Sequence, residues 1–190
     1  MTAGVLVLAA GRAHRFGSDK RLARLPDDRR SIEALLDQLE TSGLPVLVCL
    51  GPQDGEIVTL LNARGFRHQV CERSAEGMGG TLAEGIAQVD HWDGALVALA
   101  DMPWIAGGTY RAVADSLDPG SICVPVLDGH RGHPVGFGRQ FFPELAMLGG
   151  DTGARSLLAK HPDKIREVPV EDAGIHQDID IPADIDTVAG

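Results

Sequence analysis

The sequence predicts an α/β fold in which a mostly parallel sheet carries helices on both faces, with residues 1–190 forming a single domain. Two observations lead to this prediction. Continuous apolar runs rich in β-branched residues recur along the chain, as expected for strands that are buried on both faces. Apolar stripes with helical spacing lie between those runs, and this alternation is typical of parallel strands joined by crossover helices. The expected architecture is therefore Rossmann-like.

Five segments are predicted to be strands. Residues 5–10, 46–50, 95–100 and 122–126 each form an uninterrupted apolar run, the first of which reads VLVLAA. Residues 67–71 are a weaker candidate because three of their side chains are polar. In open α/β sheets, ligands bind beyond the carboxyl ends of the strands. The residues that directly follow these runs are therefore the first candidates for a functional site.

Helices are predicted in the intervals between the strands. The first is expected to have Ser31 as its N-cap and to end before Gly43, and a short one is expected over residues 56–63. Apolar residues at helical spacing mark these and two further helices: Ile32, Leu35, Leu36 and Leu39; Ile57, Leu60 and Leu61; Leu82, Ile86 and Val89; and Tyr110, Val113 and Leu117.

The pattern changes after Gly120, where two apolar runs flank a turn-like segment. This arrangement predicts an antiparallel excursion on the parallel sheet. Short helices follow, the second with Asp151 or Thr152 as a candidate N-cap. The predicted segments are 124–127 and 134–137 for the hairpin, and 140–148, 153–160 and the residues after Ile181 for the helices.

Composition and charge argue against several classes of protein. The chain is 44% hydrophobic and 23% charged, as is normal for a globular domain. No apolar run approaches the roughly 20 residues of a membrane helix, and the first residues lack the basic region of a signal peptide. We therefore expect a cytoplasmic protein that binds no membrane. The net charge of −10 argues against general nucleic-acid binding.

A basic, glycine-containing loop follows the first predicted strand. Gly11 allows close approach of the backbone to a ligand, and backbone N–H groups in such a turn form an anion-binding concavity. Arg15 and Lys20 add positive charge for phosphoryl oxygens. The spacing matches neither a P-loop nor the GxGxxG fingerprint. The residues alone leave two interpretations, a phosphate site and an ordinary basic surface loop.

Two further strand ends carry candidate residues. Asp101 follows residues 95–100 and is placed to hold Mg²⁺, which prefers oxygen ligands and keeps phosphate in its shell. The alternative is a turn-forming aspartate shortly before Pro103. Residues 76–82 (EGMGGTL) lie between a strand and a helix, where backbone N–H groups at a helix N-terminus favour an anion. The alternative there is a flexible loop.

The first loop resembles a known signature. Residues 8–11 (LAAG), 15–17 (RFG) and Lys20 match the pattern LAAGxxxRxGxxK of nucleoside-triphosphate-dependent nucleotidyltransferases, and residues 99–103 (LADMP) are similar to that family's metal-binding motif. The resemblance implies a fold like that of the nucleotide-diphospho-sugar transferases, with Arg15, Lys20 and Asp101 as catalytic residues. It also implies these nucleotide-binding residues: Leu8, Ala9, Ala10, Gly11, Arg12, Gly17, Lys20, Gly77, Met78, Gly79 and Thr81.

Two other segments indicate which branch of this family the chain resembles. Residues 131–135 (RGHPV) and 150–155 (GDTGAR) look like segments of the cytidylyltransferases that attach CMP to the molybdenum cofactor. The first implies that Arg131 and His133 hold the phosphate or the pterin of the acceptor. Taken without the resemblance, the HxxH spacing in this region is only a weak zinc pattern, since no third ligand accompanies it.

The acidic tail resembles the DIDTPED ending of the same family. In residues 177–184 (QDIDIPAD), Asp178 or Asp180 is implied to complete the magnesium shell opposite Asp101. The two share a face of an extended segment, so both are candidates. The alternative is a solvated acidic tail. Residues 22–42 depart from the family, because they lack the glycine-containing turn that usually precedes the first long helix.

The implied reaction transfers CMP from CTP to the terminal phosphate of molybdopterin, with Mg²⁺ as cofactor and pyrophosphate as leaving group. Ala10 favours CTP, because the guanylyl branch of the family usually has glycine at this position. The alternatives are a guanylyltransferase that uses GTP, a transferase for another phosphorylated acceptor, and a non-catalytic protein that delivers the molybdenum cofactor. A molybdoenzyme or its chaperone is the partner that the resemblance implies.

Overall fold

Eight strands form one mixed sheet in this computed structural model, which describes residues 1–11, 19–151 and 153–187. The strands are β1 (Ala3–Leu8), β2 (Val46–Leu50), β3 (Arg67–Val70), β4 (Gly94–Leu99), β5 (Ile122–Leu127), β6 (His130–Arg131), β7 (Val135–Gly138) and β8 (Ile165–Pro169). Their order is β3-β2-β1-β4-β7-β5-β6, and β8 pairs with β5 off this path. The predicted α/β class with a mostly parallel sheet is confirmed.

Strand β1 lies between β2 and β4 and is parallel to both. Val5 stands opposite Val46 on one side and opposite Leu96 on the other. The carboxyl ends of the three strands therefore meet at one edge of the sheet. All six residues of β1 are buried, which explains why its sequence contains no polar side chain.

The antiparallel excursion is also confirmed. Strand β7 runs antiparallel to both β4 and β5, and β6 runs antiparallel to β5. Leu127 and His130 face each other across a two-residue loop, Asp128-Gly129, in which both residues have positive φ. Positive φ at both positions is the geometry of a type I′ hairpin, and Asp-Gly is a favoured sequence for it.

Seven helices of the described residues cover the sheet. They are α1 (Ser31–Ser42), α2 (Gly55–Ala63), α3 (Met78–Ala87), α4 (Gly107–Asp115), α5 (Phe142–Ala146), α6 (Arg155–Lys160) and α7 (Pro182–Thr187). One apolar core contains residues of α1, α2 and α4, and a second contains residues of α3, α5 and α6. Val5 and Val7 of β1 belong to the first core, whereas Leu6 and Leu8 belong to the second. Helices on both faces follow from this alternation. None of the helices in the described part of the chain has the length and apolarity needed to cross a membrane.

Several predicted boundaries are wrong. Arg30, not Ser31, is the N-cap of α1, and its N–H donates to Glu33 Oε2 at 2.8 Å. Helix α6 begins at Arg155 after Ala154, so Asp151 is not its N-cap, and Thr152 lies outside the described residues. Strand β8 was not predicted, because only Val168 of its five residues is buried and the others give no apolar run.

A glycine in β1 provides a test of core packing. A Cβ atom at Gly4 would lie 2.5 Å from the ring of Trp92, which is itself buried. We expect Gly4→Ala to lower the free energy of unfolding by about 1–3 kcal/mol, as overpacking does in other cores. Urea unfolding measures this difference. The matched control is Gly108→Ala in α4, where a Cβ would meet open space. Equal stability of the two variants would contradict the packing described here.

Candidate active site

A cavity of about 330 Å³ opens at the carboxyl ends of β1 and β4. This is the place where open α/β sheets bind their ligands. Its lining includes these residues that the sequence had singled out: Leu8, Ala9, Ala10, Gly11, Lys20, Gly77, Met78, Thr81 and Asp101. The predicted residue Gly79 is not part of the lining. Arg12, Arg15 and Gly17 lie outside the described residues, so their roles remain predictions.

Lys20 and Asp101 form an ion pair at the cavity. Lys20 begins a one-turn 3₁₀ helix, Lys20–Leu22, and its Nζ lies 2.6 Å from Asp101 Oδ2 and 3.4 Å from Asp180 Oδ1. Burial alone would lower the pKa of Lys20, but the hydrogen bond and the charge of Asp101, together with Asp180, outweigh it and raise the pKa. The ammonium group is therefore held in its charged form.

Two carboxylates of the tail lie beside this pair. The N–H of Ile179 donates to the carbonyl oxygen of Asp101 at 2.9 Å, which fixes Asp178 and Asp180 next to the end of β4. Ile179 is buried, and the aspartates on either side of it are exposed. Burial raises the pKa of Asp178, and the negative charges of Asp180 and Asp101 raise it further. Three carboxylates thus crowd around one ammonium group.

This arrangement fits a divalent cation. Asp101 Oδ1 is buried and has no hydrogen-bond partner among the described residues, while Oδ2 contacts Lys20. Within residues 1–11, 19–151 and 153–187, no three His, Cys, Asp or Glu side chains group closely enough to form a metal site by themselves. Mg²⁺ is commonly held by one or two carboxylates with substrate phosphates completing its shell. Asp101 with Asp178 or Asp180 provides such an incomplete set.

The structure separates the two predicted acceptor residues. His133 Nδ1 is buried and has no partner in the described part of the chain, and the charges of Asp101 and Asp178 act on its ring. Arg131 instead pairs with Glu167 of β8 at 2.8 Å, with its side chain half exposed. His133 therefore belongs to the neighbourhood of Asp101, whereas Arg131 contacts the edge of the sheet.

The glycines at the start of α3 serve close packing. Gly77 has φ +106°, and a Cβ there would lie 2.2 Å from Asp151 Oδ1. The N–H of Gly79 donates to the carbonyl of Gly150 at 2.8 Å, and a Cβ on Gly79 would meet the backbone of Gly149 at 2.7 Å. These contacts seat residues 149–151 against α3 and bring Asp151 to the cavity wall. The role of Gly79 in the described structure is thus packing.

Five lining residues were not predicted: Arg21, Ser74, Leu99, Ala100 and Asp151. Arg21 directly follows Lys20 in the basic loop, but the sequence around it gives no indication of a buried partner. Asp151 was used only to place the chain in a family and as a candidate N-cap. The signal that could have identified Leu99 and Ala100 is their position at the end of a buried strand.

Comparison with known proteins agrees with this geometry. Residues 5–165 match the family described as the MobA-like NTP transferase domain, and the chain belongs to that family. The purine catabolism protein PucB of Bacillus subtilis is 28% identical to this chain. The matched region covers 95% of this chain and 93% of PucB. Rv0371c of Mycobacterium tuberculosis, solved as a complex with manganese, is 28% identical, with a TM-score of 0.82 and coverage of 98% and 97% of the two chains.

A more distant structure supports the fold. A nucleotidyl transferase from Methanothermobacter is 20% identical, with a TM-score of 0.84 over 98% of this chain and 95% of that one. The predicted likeness to nucleotide-diphospho-sugar transferase-like folds is therefore confirmed. Membership of the MobA-like NTP transferase family rests on the match over residues 5–165.

The environment of His133 predicts a pH dependence of stability. Burial lowers the pKa of His133, so its protonation is less favourable in the folded chain than in the unfolded one. As the pH falls below the ordinary histidine pKa of about 6.5, the unfolded chain gains protons more readily and the free energy of unfolding decreases. We expect His133→Asn, in metal-free buffer, to flatten this slope by at most about 1.4 kcal/mol per pH unit.

Urea unfolding between pH 7.5 and 5.0 measures the slope. The control is His91→Asn, which replaces an exposed imidazole. An unchanged slope in the His133 variant would contradict the burial of this ring.

Proposed function

We propose that this protein transfers CMP from CTP to the terminal phosphate of molybdopterin and releases pyrophosphate. The proposal rests on the ion pair of Lys20 and Asp101, which lies at the carboxyl end of β4. Both substrates are anions, so neutralisation of their charge is the main requirement for catalysis of this transfer. The partly buried ammonium group of Lys20 would neutralise phosphate directly. The incompletely partnered carboxylate of Asp101 would do so through the cation that it holds.

Lys20 is proposed to hold the phosphoryl oxygens of the nucleotide. It replaces its contact with Asp101 by contacts with the triphosphate and stabilises the charge that develops on the departing pyrophosphate. Arg15 is proposed to act with it. The acceptor is already ionised at its terminal phosphate, so its attack on the α-phosphorus needs no general base.

Asp101, with Asp178 or Asp180, is proposed to hold Mg²⁺. When bound, the ion neutralises phosphate charge and orients the attacking and leaving oxygens. The manganese complex of the Mycobacterium tuberculosis relative supports the use of a divalent cation at this fold. The buried, unpartnered Asp101 Oδ1 supports the position of that cation in this chain.

The choice of substrates rests on fewer residues. Ala10 lines the cavity at the position where a guanylyl enzyme usually has glycine, which favours CTP. His133 is the better supported of the two acceptor residues because it lies near Asp101 and Asp178. A cytoplasmic location, and a molybdoenzyme or its chaperone as recipient of the product, belong to the same proposal.

Pyrophosphate release with Mg²⁺ and molybdopterin tests the reaction. We expect CTP to be preferred over GTP, ATP and UTP. Lys20→Ala and Asp101→Ala should each reduce turnover by at least about 100-fold, because the first removes a positive charge and the second removes a ligand of the proposed Mg²⁺, and both cations stabilise the anionic transition state. Lys160→Ala, which removes an exposed lysine paired with Glu144, is the control.

The outcomes separate the alternatives. A GTP preference would move the protein to guanylyl transfer with the same site. Absence of pyrophosphate with all four nucleotides would contradict the proposal and favour a delivery role or another acceptor. Folded variants of Lys20 or Asp101 with wild-type rates would contradict the site assignment.

Removal of the metal provides a second test. We expect a chelator to stop turnover and added Mg²⁺ or Mn²⁺ to restore it. Asp101→Asn should weaken Mn²⁺ binding in the presence of CTP by at least about 10-fold, an effect typical even of outer-shell residues. Calorimetry of Asp178→Asn and Asp180→Asn identifies the second ligand. Asp163→Asn, at an exposed pair with Lys164, is the control.

A further inference from the structure

Arg21 is a buried cation that lies directly beside the phosphate-binding lysine. Its side chain is 2% exposed, although it lines the cavity. Lys20 and Arg21 share one turn of 3₁₀ helix, yet Lys20 contacts Asp101 after β4, whereas Arg21 contacts Asp54 after β2. The end of the signature loop, which we define as residues 8–20, is therefore attached to the ends of β4 and β2 through two neighbouring residues, Lys20 and Arg21.

The pairing of Arg21 with Asp54 is bidentate and buried. Arg21 Nη1 lies 2.9 Å from Asp54 Oδ2, and Nη2 lies 2.7 Å from Oδ1, and the Asp54 side chain is 3% exposed. Asp54 Oδ2 also accepts the N–H of Gly51 at 2.7 Å. Parallel bonds of this kind fix the plane of both groups, which a lysine at position 21 would not do.

The same guanidinium also connects the two ends of the signature loop. Arg21 Nη1 donates to the carbonyl oxygen of Ala9, 12 positions earlier in the chain. On the other side, Nε and Nη2 donate to Asp19 at 2.8 and 2.6 Å. One side chain thus joins Ala9, the last residue before Ala10-Gly11, to Asp19, the residue that precedes Lys20.

Stability alone does not require such a network. A buried ion pair is often no better than apolar residues of the same volume, although removal of only one partner leaves an uncompensated charge. Binding of a triphosphate, in contrast, benefits from a loop whose ends are already in place. The conformational entropy of those ends is then not lost on binding, so it does not weaken the affinity. The network lies at the ends of the signature loop and not in the apolar core, and the need to order that loop for triphosphate binding explains this position.

We propose that Arg21 is a positioning residue: through Asp54, Asp19 and the Ala9 carbonyl it holds the two described ends of the signature loop together and sets Lys20 opposite Asp101 for the nucleotide. This inference rests on the proposed nucleotidyl transfer. It adds a residue pair, Arg21 and Asp54, to which the sequence pattern assigned no role.

The decisive variant replaces both partners together. Arg21→Met with Asp54→Leu removes the buried ion pair and keeps apolar volume. Of the two carboxylates that contact Arg21, only the partly exposed Asp19 then remains, so no fully buried charge loses its partner. We expect an unfolding midpoint in urea close to that of the wild type, but a dissociation constant for CTP with Mg²⁺ raised by about 10- to 100-fold, as for a displaced catalytic group. KM for CTP should rise more than kcat falls. The control is Arg64→Gln, which breaks pairs with Asp37 and Glu40 away from the cavity.

Every outcome decides the question. Wild-type affinity and KM in the folded double variant would overturn the proposal and leave Arg21 a purely structural residue. If the double variant is unstable, Arg21→Lys decides, because it keeps the charge but loses the bidentate geometry. A folded Arg21→Lys variant with raised KM supports positioning, and an unchanged KM overturns it. Absence of CTP and GTP binding in the wild type would instead count against the proposed function itself.

Discussion

The parallel pairing of β1 with β2 on one side and β4 on the other is the constraint on which the site depends. Because the three strands run in the same direction and in register, the residues after Leu8, Leu50 and Leu99 emerge at one edge of the sheet. Ala9, Asp54 and Asp101, which are far apart in sequence, thereby come within reach of two neighbouring side chains, Lys20 and Arg21. A single turn of helix is then enough to connect all three strand ends.

The two cations of that turn have different environments and different roles. Lys20 lines the cavity beside the carboxylates of Asp101, Asp178 and Asp180. If a metal ion neutralised those carboxylates, the charge of Lys20 would be available to an anionic ligand. Arg21 is enclosed by two carboxylates and a carbonyl, and those acceptors raise its pKa despite burial. An acidic chain, with 27 acidic and 17 basic residues, therefore keeps two neighbouring cations at this cavity.

Close backbone packing forms the opposite wall of the cavity. Gly77 and Gly79 lie so near to residues 149–151 that a methyl group at either position would collide with them. This contact joins the start of α3 to a segment that lies about 70 residues later in the chain. This part of the cavity wall is thus shaped by main-chain contacts, and Asp151 is one of the side chains that line it.

The sequence by itself determined the class of fold and the place of the candidate site. Uninterrupted apolar runs rich in β-branched residues are typical of strands buried on both faces. The residues that follow such strands lie at the edge where open α/β sheets bind ligands, and Lys20 and Asp101 became candidates for this reason and through the family motif. The family comparison agrees with the motif that contains them. The roles of Arg12, Arg15 and Gly17 stay predictions.

Only the tertiary structure decided which polar residues meet. The partnership of Arg21 with Asp54 joins residues 33 positions apart, and no local pattern encodes it. Arg131 belongs to the same RGHPV segment as His133 but pairs with Glu167 on β8. The sequence did not predict β8, because most of its residues are exposed and form no apolar run. Periodicity reports the burial of a segment, whereas the pairing of charges depends on how separate segments are brought together.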